Sequence, residues 1–142
     1  MHCEGYGTFE EGNTLTFEQF QGYLDEHFSQ YGLKIDEHFM PRIKDIIIDT
    51  FLSVRTKMNP NKRKNVFELF GFDFLLDEDL RIWLIEVNTN PFLGTPNKDM
   101  TVLVPQMIDD MIKIAVDPYC KPRTKPANYD QNGFELIYRE EN

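Results

Sequence analysis

Cysteine, positive charge and long apolar runs are what this chain has least of. Cys3 and Cys120 are its only cysteines. Two are too few for a disulfide framework and these are too far apart in sequence for a chelating pair, so a reducing compartment is expected. Lys and Arg number 15 against 24 Asp and Glu, for a formal net charge of −9. That balance argues against a dedicated nucleic-acid binder, which would show a basic footprint. The deficit is steepest at the start, where the first 28 residues hold six acids and no Lys or Arg. No apolar run approaches the ~20 residues that cross a bilayer. Met1-His-Cys-Glu-Gly-Tyr-Gly7 also lacks the charged and apolar regions of a signal peptide. These absences predict a soluble intracellular protein with neither a membrane nor a nucleic acid as partner. Local basic clusters persist at Lys57, Lys62, Arg63 and Lys64, and at Lys121, Arg123 and Lys125.

What is present is enough apolar material for a core. Of 142 residues 41% are hydrophobic, with twelve Phe, six Tyr and one Trp, which suits one folded domain. Residues 1–13 read as a loop. Thr16 and Gln19 make a capping-box pair ahead of a helix from about Phe17 to Phe28, striped by Phe17, Phe20, Leu24 and Phe28. A second helix is predicted from near Pro41 to Met58, burying Ile43, Ile46, Ile47, Phe51, Val54 and Met58 and stopped by Asn59-Pro60-Asn61. Strands follow at 66–76 and 81–88. A third helix covers roughly 100–116, with Pro105 either kinking it or marking its start. From Asp117 the chain should be extended, and Phe134 to Tyr138 could supply a short edge strand. The fold class is therefore α+β, with antiparallel strands flanked by helices.

The two strands carry the most informative chemistry. Asp73 lies between two phenylalanines, and Glu86 lies between Ile85 and Val87. A carboxylate buried without a partner costs several kcal/mol, so each asks for a cation or strong donors. Side chains alternate along a strand, so Glu86 and Asn88 share a face. With a four-residue turn at 77–80, Leu76 pairs with Arg81, Asp73 faces Leu84 and Gly71 faces Glu86. Asp73 and Glu86 are then diagonal neighbours on one face, about 5.5–8 Å apart between Cα atoms. A three-residue turn would put Asp73 on the opposite face. Gly71 would leave open space beside Glu86 for a phosphate. Hard oxygen donors with one amide suit Mg²⁺ or Mn²⁺, and Mg²⁺ so held commonly completes its shell with nucleotide phosphates. The plainer alternatives are that Asp73 caps a turn or pairs with a lysine, that Glu86 is half exposed at a strand end, and that Asn88-Thr-Asn-Pro91 is an ordinary turn.

Other motifs carry less. Asp77-Glu-Asp79 begins like an EF-hand loop, but the required glycine would fall at Ile82, inside a strand. Gly5-Tyr-Gly7 lacks both a third glycine and a preceding strand. His2, His27 and His38 are not spaced as ligands. The Phe stripe of the first helix reads as packing, and the Lys57–Lys64 loop as a solvated face.

Phe67-Glu-Leu-Phe-Gly-Phe-Asp-Phe74 followed by Trp83-Leu-Ile-Glu-Val-Asn-Thr-Asn-Pro91 strongly resembles the C-terminal signature of the tubulin–tyrosine-ligase-like family of ATP-grasp ligases. Tyr6-Gly-Thr-Phe-Glu-Glu-Gly-Asn-Thr-Leu-Thr-Phe17 and Val104-Pro-Gln-Met-Ile-Asp-Asp-Met-Ile-Lys-Ile-Ala-Val-Asp-Pro118 are similar to its flanking segments. The likeness covers about residues 5–119. It implies the C-terminal part of an ATP-grasp domain at 1–119, with an incomplete ATP-binding cleft, and an extended Pro-containing tail at 120–142. It also implies that Asp73, Glu86 and Asn88 hold the Mg²⁺ ions bridging the ATP phosphates, and that Ile85 contacts the nucleotide. In that family ATP phosphorylates a carboxylate, and an amino acid amine then forms an amide or isopeptide bond on tubulin, adding tyrosine, glutamate or glycine. Tubulin or microtubules become the expected partner, in the cytoplasm, the cytoskeleton or the cilium. An acidic tubulin tail would then be a possible ligand for the Lys57–Lys64 loop. The family's phosphate-gripping lysines and adenine pocket have no counterpart here, so the chain alone is expected not to catalyse. The alternative is a non-catalytic remnant serving as a structural or interaction subunit of a microtubule or ciliary assembly.

Overall fold

The computed structural model describes residues 14–95, 97–120 and 130–140. The expected N-terminal loop, His2, Cys3 and the cluster Lys121, Arg123 and Lys125 lie outside the described residues. Two compact units are present, residues 1–43 and residues 44–142.

In the first unit, α1 spans Phe17–His27. The capping box forms as its residues predict: Gln19 N donates to Thr16 Oγ1 at 3.2 Å, and Thr16 N donates to Gln19 Oε1 at 2.8 Å. Two of the otherwise orphaned N–H groups at the helix start are thereby satisfied. Of the apolar stripe, Leu24 is buried and Phe20 and Phe28 are half-buried, while Phe17 lies bare ahead of it. A short 3₁₀ turn, Ser29–Tyr31, ends at Gly32, whose φ of 57° is left-handed. The chain then re-enters a helix well ahead of the expected start near Pro41, through a π-helical turn at Ile35–Phe39. Pro41 offers no N–H and its ring crowds the carbonyl one α-turn back, and a wider turn relieves that crowding. Leu24, Ile35 and Phe39 form the buried core of this unit, with the Phe20 ring 6.4 Å from that of Phe39. Gln21 pins the connection, donating to Leu33 O and accepting from Ile35 N, each at 2.9 Å.

α2 spans Met40–Met58, and the division between units falls within its first turns. Ile46, Ile47 and Phe51 are half-buried, whereas the expected stripe fails at its end, where Val54 and Met58 are exposed. In the second unit, β1 (Gly71–Leu76) and β2 (Ile82–Asn88) form a two-stranded antiparallel sheet. The Phe51 ring meets Phe70 at 5.2 Å and Phe72 at 5.6 Å, edge-on, so α2 packs through Phe51 against the face of the sheet that carries Phe72. Residues 66–70, expected in the strand, precede it instead. α3 spans Lys98–Ala115 and is capped by Asn97, whose Oδ1 accepts from Met100 N at 2.9 Å. Pro105 neither starts nor ends it but lies inside. The α+β class is as expected.

Residues 131–140 form neither helix nor strand among the described residues. They are tied down by side chains instead. Asp110, only 3% exposed, accepts from Gly133 N at 2.9 Å, Gln106 Nε2 at 3.0 Å and Lys113 Nζ at 3.2 Å. Asn132 Nδ2 donates to the Asp110 carbonyl at 2.9 Å. Further along, Glu135 pairs with Lys44 at 2.6 Å and Glu140 with Arg55 at 3.7 Å. The two pairs are eleven residues apart on α2 and five apart on the segment, and both intervals span about 16 Å if the segment is extended, so it runs in the direction of α2.

Candidate functional site

The hairpin is organised by one carboxylate that periodicity does not reveal. Leu76 pairs with Ile82, which makes the turn five residues long, 77–81. Asp77 Oδ1 accepts from Asp79 N at 3.0 Å and Arg81 N at 2.8 Å, and Oδ2 accepts from Trp83 Nε1 at 2.7 Å. The indole bond first, and the Arg81 backbone N–H next, hold the Asp77 carboxyl below its ordinary range. Backbone bonds from Asp77 N to Arg81 O and from Leu80 N to Asp77 O close the turn, with Leu80 left-handed at φ 62°. The sequence expectation of a four-residue turn, Leu76 against Arg81, is therefore corrected by one residue.

A one-residue change of register would normally throw Asp73 and Glu86 onto opposite faces. A β-bulge prevents it. Phe74 pairs with Leu84 and Asp73 with Glu86, leaving Ile85 as an extra residue on β2. The inner face carries Phe72, Phe74, Leu76, Ile82, Leu84 and Val87, all half-buried; the outer face carries Leu75, Trp83, Ile85 and Glu86, all exposed. Ile85 and Glu86, neighbours in sequence, thus emerge on the same side. Without the bulge they would alternate.

On that outer face Asp73 and Glu86 stand directly opposite each other, with Asn88 opposite Gly71. Asn88 Nδ2 donates to Asp73 Oδ2 at 3.0 Å and to Glu86 Oε1 at 3.1 Å. The three side chains singled out from sequence converge. The reason for suspecting them needs correction, however: Asp73 and Glu86 are exposed and only Asn88 is half-buried, so desolvation does not demand a partner. Like charges directly across a sheet are destabilising, and a single amide bridges these two. The donor set fits a hard cation. The two carboxylate oxygens meet at Asn88 Nδ2, and a cation taking that place would be met by a third oxygen once the amide turns to exchange its NH2 for its carbonyl. Among the described residues no group of three or more His, Cys, Asp or Glu side chains is placed to hold a metal; this site consists of two acids and an amide.

Gly71 does not leave open space. A Cβ there would meet Pro91 Cβ at 3.1 Å and Asn88 Cβ at 3.7 Å, so the glycine admits the proline of the Asn88–Pro91 turn rather than a phosphate. Leu75 and Trp83, each 53% exposed, and Ile85, 59% exposed, form an apolar surface continuous with the two acids. Asp77 drew attention in the sequence only as a rejected EF-hand start and Trp83 only as part of the family signature; the bond between them was not anticipated. Their signal was the Asp-x-Asp start of the turn and the three-residue interval between the inward Leu84 and Val87. Among the histidines, His27 contacts Tyr23 and Glu26, and His38 Nδ1 meets the Lys34 backbone. No helix of the described residues is long and apolar enough to cross a membrane.

Comparison with known proteins places this hairpin in a lineage. The chain belongs to the tubulin-tyrosine ligase family, whose model matches residues 3–124. Among curated relatives it is 33% identical over 121 residues to tubulin glycylase 3A of Drosophila melanogaster, which covers 85% of this chain and 11% of that protein. It is 32% identical over 127 residues to tubulin glycylase 3B of Tetrahymena thermophila, covering 89% and 10%. To the human protein monoglycylase TTLL8 it is 34% identical over 128 residues, covering 90% and 14%. The chain thus spans roughly a tenth of the length of these relatives.

Proposed function

We propose that this chain carries the Mg²⁺–ATP-binding hairpin of an ATP-grasp ligase that joins an amino acid to tubulin. The observation that carries the reading is the meeting of Asp73, Glu86 and Asn88 on one open face of the sheet. The overall chemistry condenses an acceptor carboxylate with the amine of the amino acid, while ATP becomes ADP and phosphate. The names of the relatives favour glycine as the amino acid added and tubulin as the acceptor, which would act in the cytoplasmic cytoskeleton or the cilium.

Asp73 and Glu86 supply two negative charges and Asn88 one neutral oxygen, a set that leaves coordination positions for phosphate oxygens. Bound Mg²⁺ would neutralise charge on the triphosphate and align the transferring phosphoryl group. Ile85 offers a bare apolar side chain beside Glu86 against which the nucleotide can lie. The exposure of the acids supports the same reading, since a ligand entering from solvent can reach them with no more than a turn of the Asn88 amide that now bridges them.

The test is thermal denaturation of the 142-residue chain with and without millimolar Mg²⁺–ATP. Ligand binding to the folded state raises the melting temperature. A rise in the wild-type chain that disappears in Asp73→Ala and in Glu86→Ala is the expected result. An unchanged melting temperature in the wild type, or the same rise in both variants, would overturn the reading and favour a non-catalytic structural subunit.

A further inference from the structure

We infer that Asp77 is a positioning residue for the candidate cation site, selecting between two strand registers that differ by one residue. The inference rests on the reading of Asp73, Glu86 and Asn88 as that site, but its structural half stands apart from it. The sequence permits a second hairpin. With a four-residue turn, Leu76 would pair with Arg81, Phe74 with Trp83 and Asp73 with Leu84. In that register Trp83 and Ile85 join the inner face, against which α2 packs, and Ile82 and Leu84 turn outward. Both hairpins bury apolar side chains, so hydrophobic pattern alone discriminates between them weakly.

The Asp77 carboxylate discriminates strongly. Its bonds to Asp79 N and Arg81 N belong to the five-residue turn, and its bond to Trp83 Nε1 requires the indole on the outer face. When β2 slides by one residue the indole bond is lost and the bond to Arg81 N, then paired with Leu76, loses its place in the turn; the local bond to Asp79 N does not discriminate. Leu80 at φ 62° shows the cost of the longer turn, since a β-carbon disfavours that conformation. The hydrogen bonds to an ionised acceptor outweigh it. In the selected register, and with Ile85 bulged, Asp73 faces Glu86 squarely. In the other register the two acids are only diagonal. Asp77 therefore acts on the site without touching it, through the frame in which β2 is read.

Trp83 is the only tryptophan of the chain, so its environment reports the register. The experiment compares the wild-type chain with Asp77→Ala, Asp77→Asn and Trp83→Phe. The register is read from nuclear Overhauser contacts, Leu75–Trp83 in the present hairpin against Phe74–Trp83 in the slipped one, and from the tryptophan emission maximum. Mn²⁺ affinity is read from the free-ion paramagnetic resonance signal. In Asp77→Ala the Phe74–Trp83 contacts should appear, the emission should move to the blue, and Mn²⁺ should bind at least about tenfold more weakly. Asp77→Asn keeps an oxygen for the two turn N–H groups but offers the indole no acceptor from its NH₂ end. It should hold the register with an intermediate loss of Mn²⁺ affinity, which also covers the case of Asp77→Ala failing to fold. Trp83→Phe should match Asp77→Asn in Mn²⁺ affinity. Leu75–Trp83 contacts and Mn²⁺ affinity both unchanged in Asp77→Ala would overturn the inference. A wild-type chain that binds no Mn²⁺, with an Asp77→Ala hairpin that slips, would remove the cation site and leave the register assignment standing.

Discussion

Two carboxylate centres lie in the second unit, and they are built on opposite principles. At Asp110 every neighbour is a donor from the same chain: Gly133 N, Gln106 and Lys113 meet the side chain, and Lys113 also reaches Asp109 at 2.8 Å. The centre is buried and internally satisfied. At Asp73 and Glu86 two acids face each other in the open with one amide between them. The difference teaches that burial does not mark the acids that are short of partners here. The buried acid holds the fold together, and the exposed pair is the one left short of positive charge.

Removing the Asp110 side chain should have the larger effect on stability. Asp110→Ala leaves the Gly133 N–H and the Gln106 amide without their acceptor and Lys113 with Asp109 as its remaining acid, and loss of one partner from a buried ion pair ranks among the costlier changes. The melting temperature of the chain should fall by roughly 10 °C, with Mn²⁺ affinity measured below the transition unaltered. A fall of less than a degree or two would mean that residues 131–140 are not held through this acid.

Acid should reveal the same contrast. The Gly133 N–H above all, with Lys113 and Gln106, holds the Asp110 carboxyl below its ordinary range against the opposing effect of burial. A carboxyl lowered in the folded state stabilises above its unfolded value near 4 and loses that contribution as pH falls through the lower folded value. The difference in melting temperature between wild type and Asp110→Asn should therefore be constant at neutral pH and shrink below about pH 4. Asp25 and Asp77 are lowered too, so some acid sensitivity should survive in Asp110→Asn.

The exposed pair should respond in the opposite sense. Asp73→Asn relieves the repulsion across the strands, so the unliganded chain should melt about 1–3 °C higher while losing its response to Mg²⁺–ATP. A lower melting temperature would show that Asn88 already balances the two charges. Smallest of all should be Lys44→Met, which breaks an ion pair to a largely exposed Glu135. A change of about 0.5 kcal/mol is expected from chemical denaturation, and a loss several times larger would make the tail on α2 as important as the latch on α3.

Much of the fold was legible in the residues. The Thr16–Gln19 cap, the three helices and the hairpin follow from local chemistry and period, because those signals act within a few positions. The convergence of Asp73, Glu86 and Asn88 was legible as well, though by a wrong route. Strand periodicity implies a turn one residue too short and hides the bulge, and the two differences cancel on the shared face. Turn length is set by the side chain of Asp77, a contact spanning six residues to Trp83, and no apolar period reports it. The exposure of the acids was also illegible, since apolar neighbours in a strand mark its inner face and say nothing of whether the outer one is covered. The edge strand that 134–138 could have supplied does not form among the described residues; the segment is tied through Gly133 to Asp110 and through Glu135 to Lys44, residues far away in sequence.

The bulge has a last consequence. Leave Ile85 out of the register and every remaining pair, from Leu76–Ile82 to Gly71–Asn88, falls into an unbroken ladder with the phenylalanines inside and both acids outside. The chain is a single codon away from a plainer hairpin. Excising that codon would remove one exposed apolar side chain and leave the acids facing each other, so the part assigned to Ile85 in the proposed nucleotide site could be weighed without disturbing its surroundings.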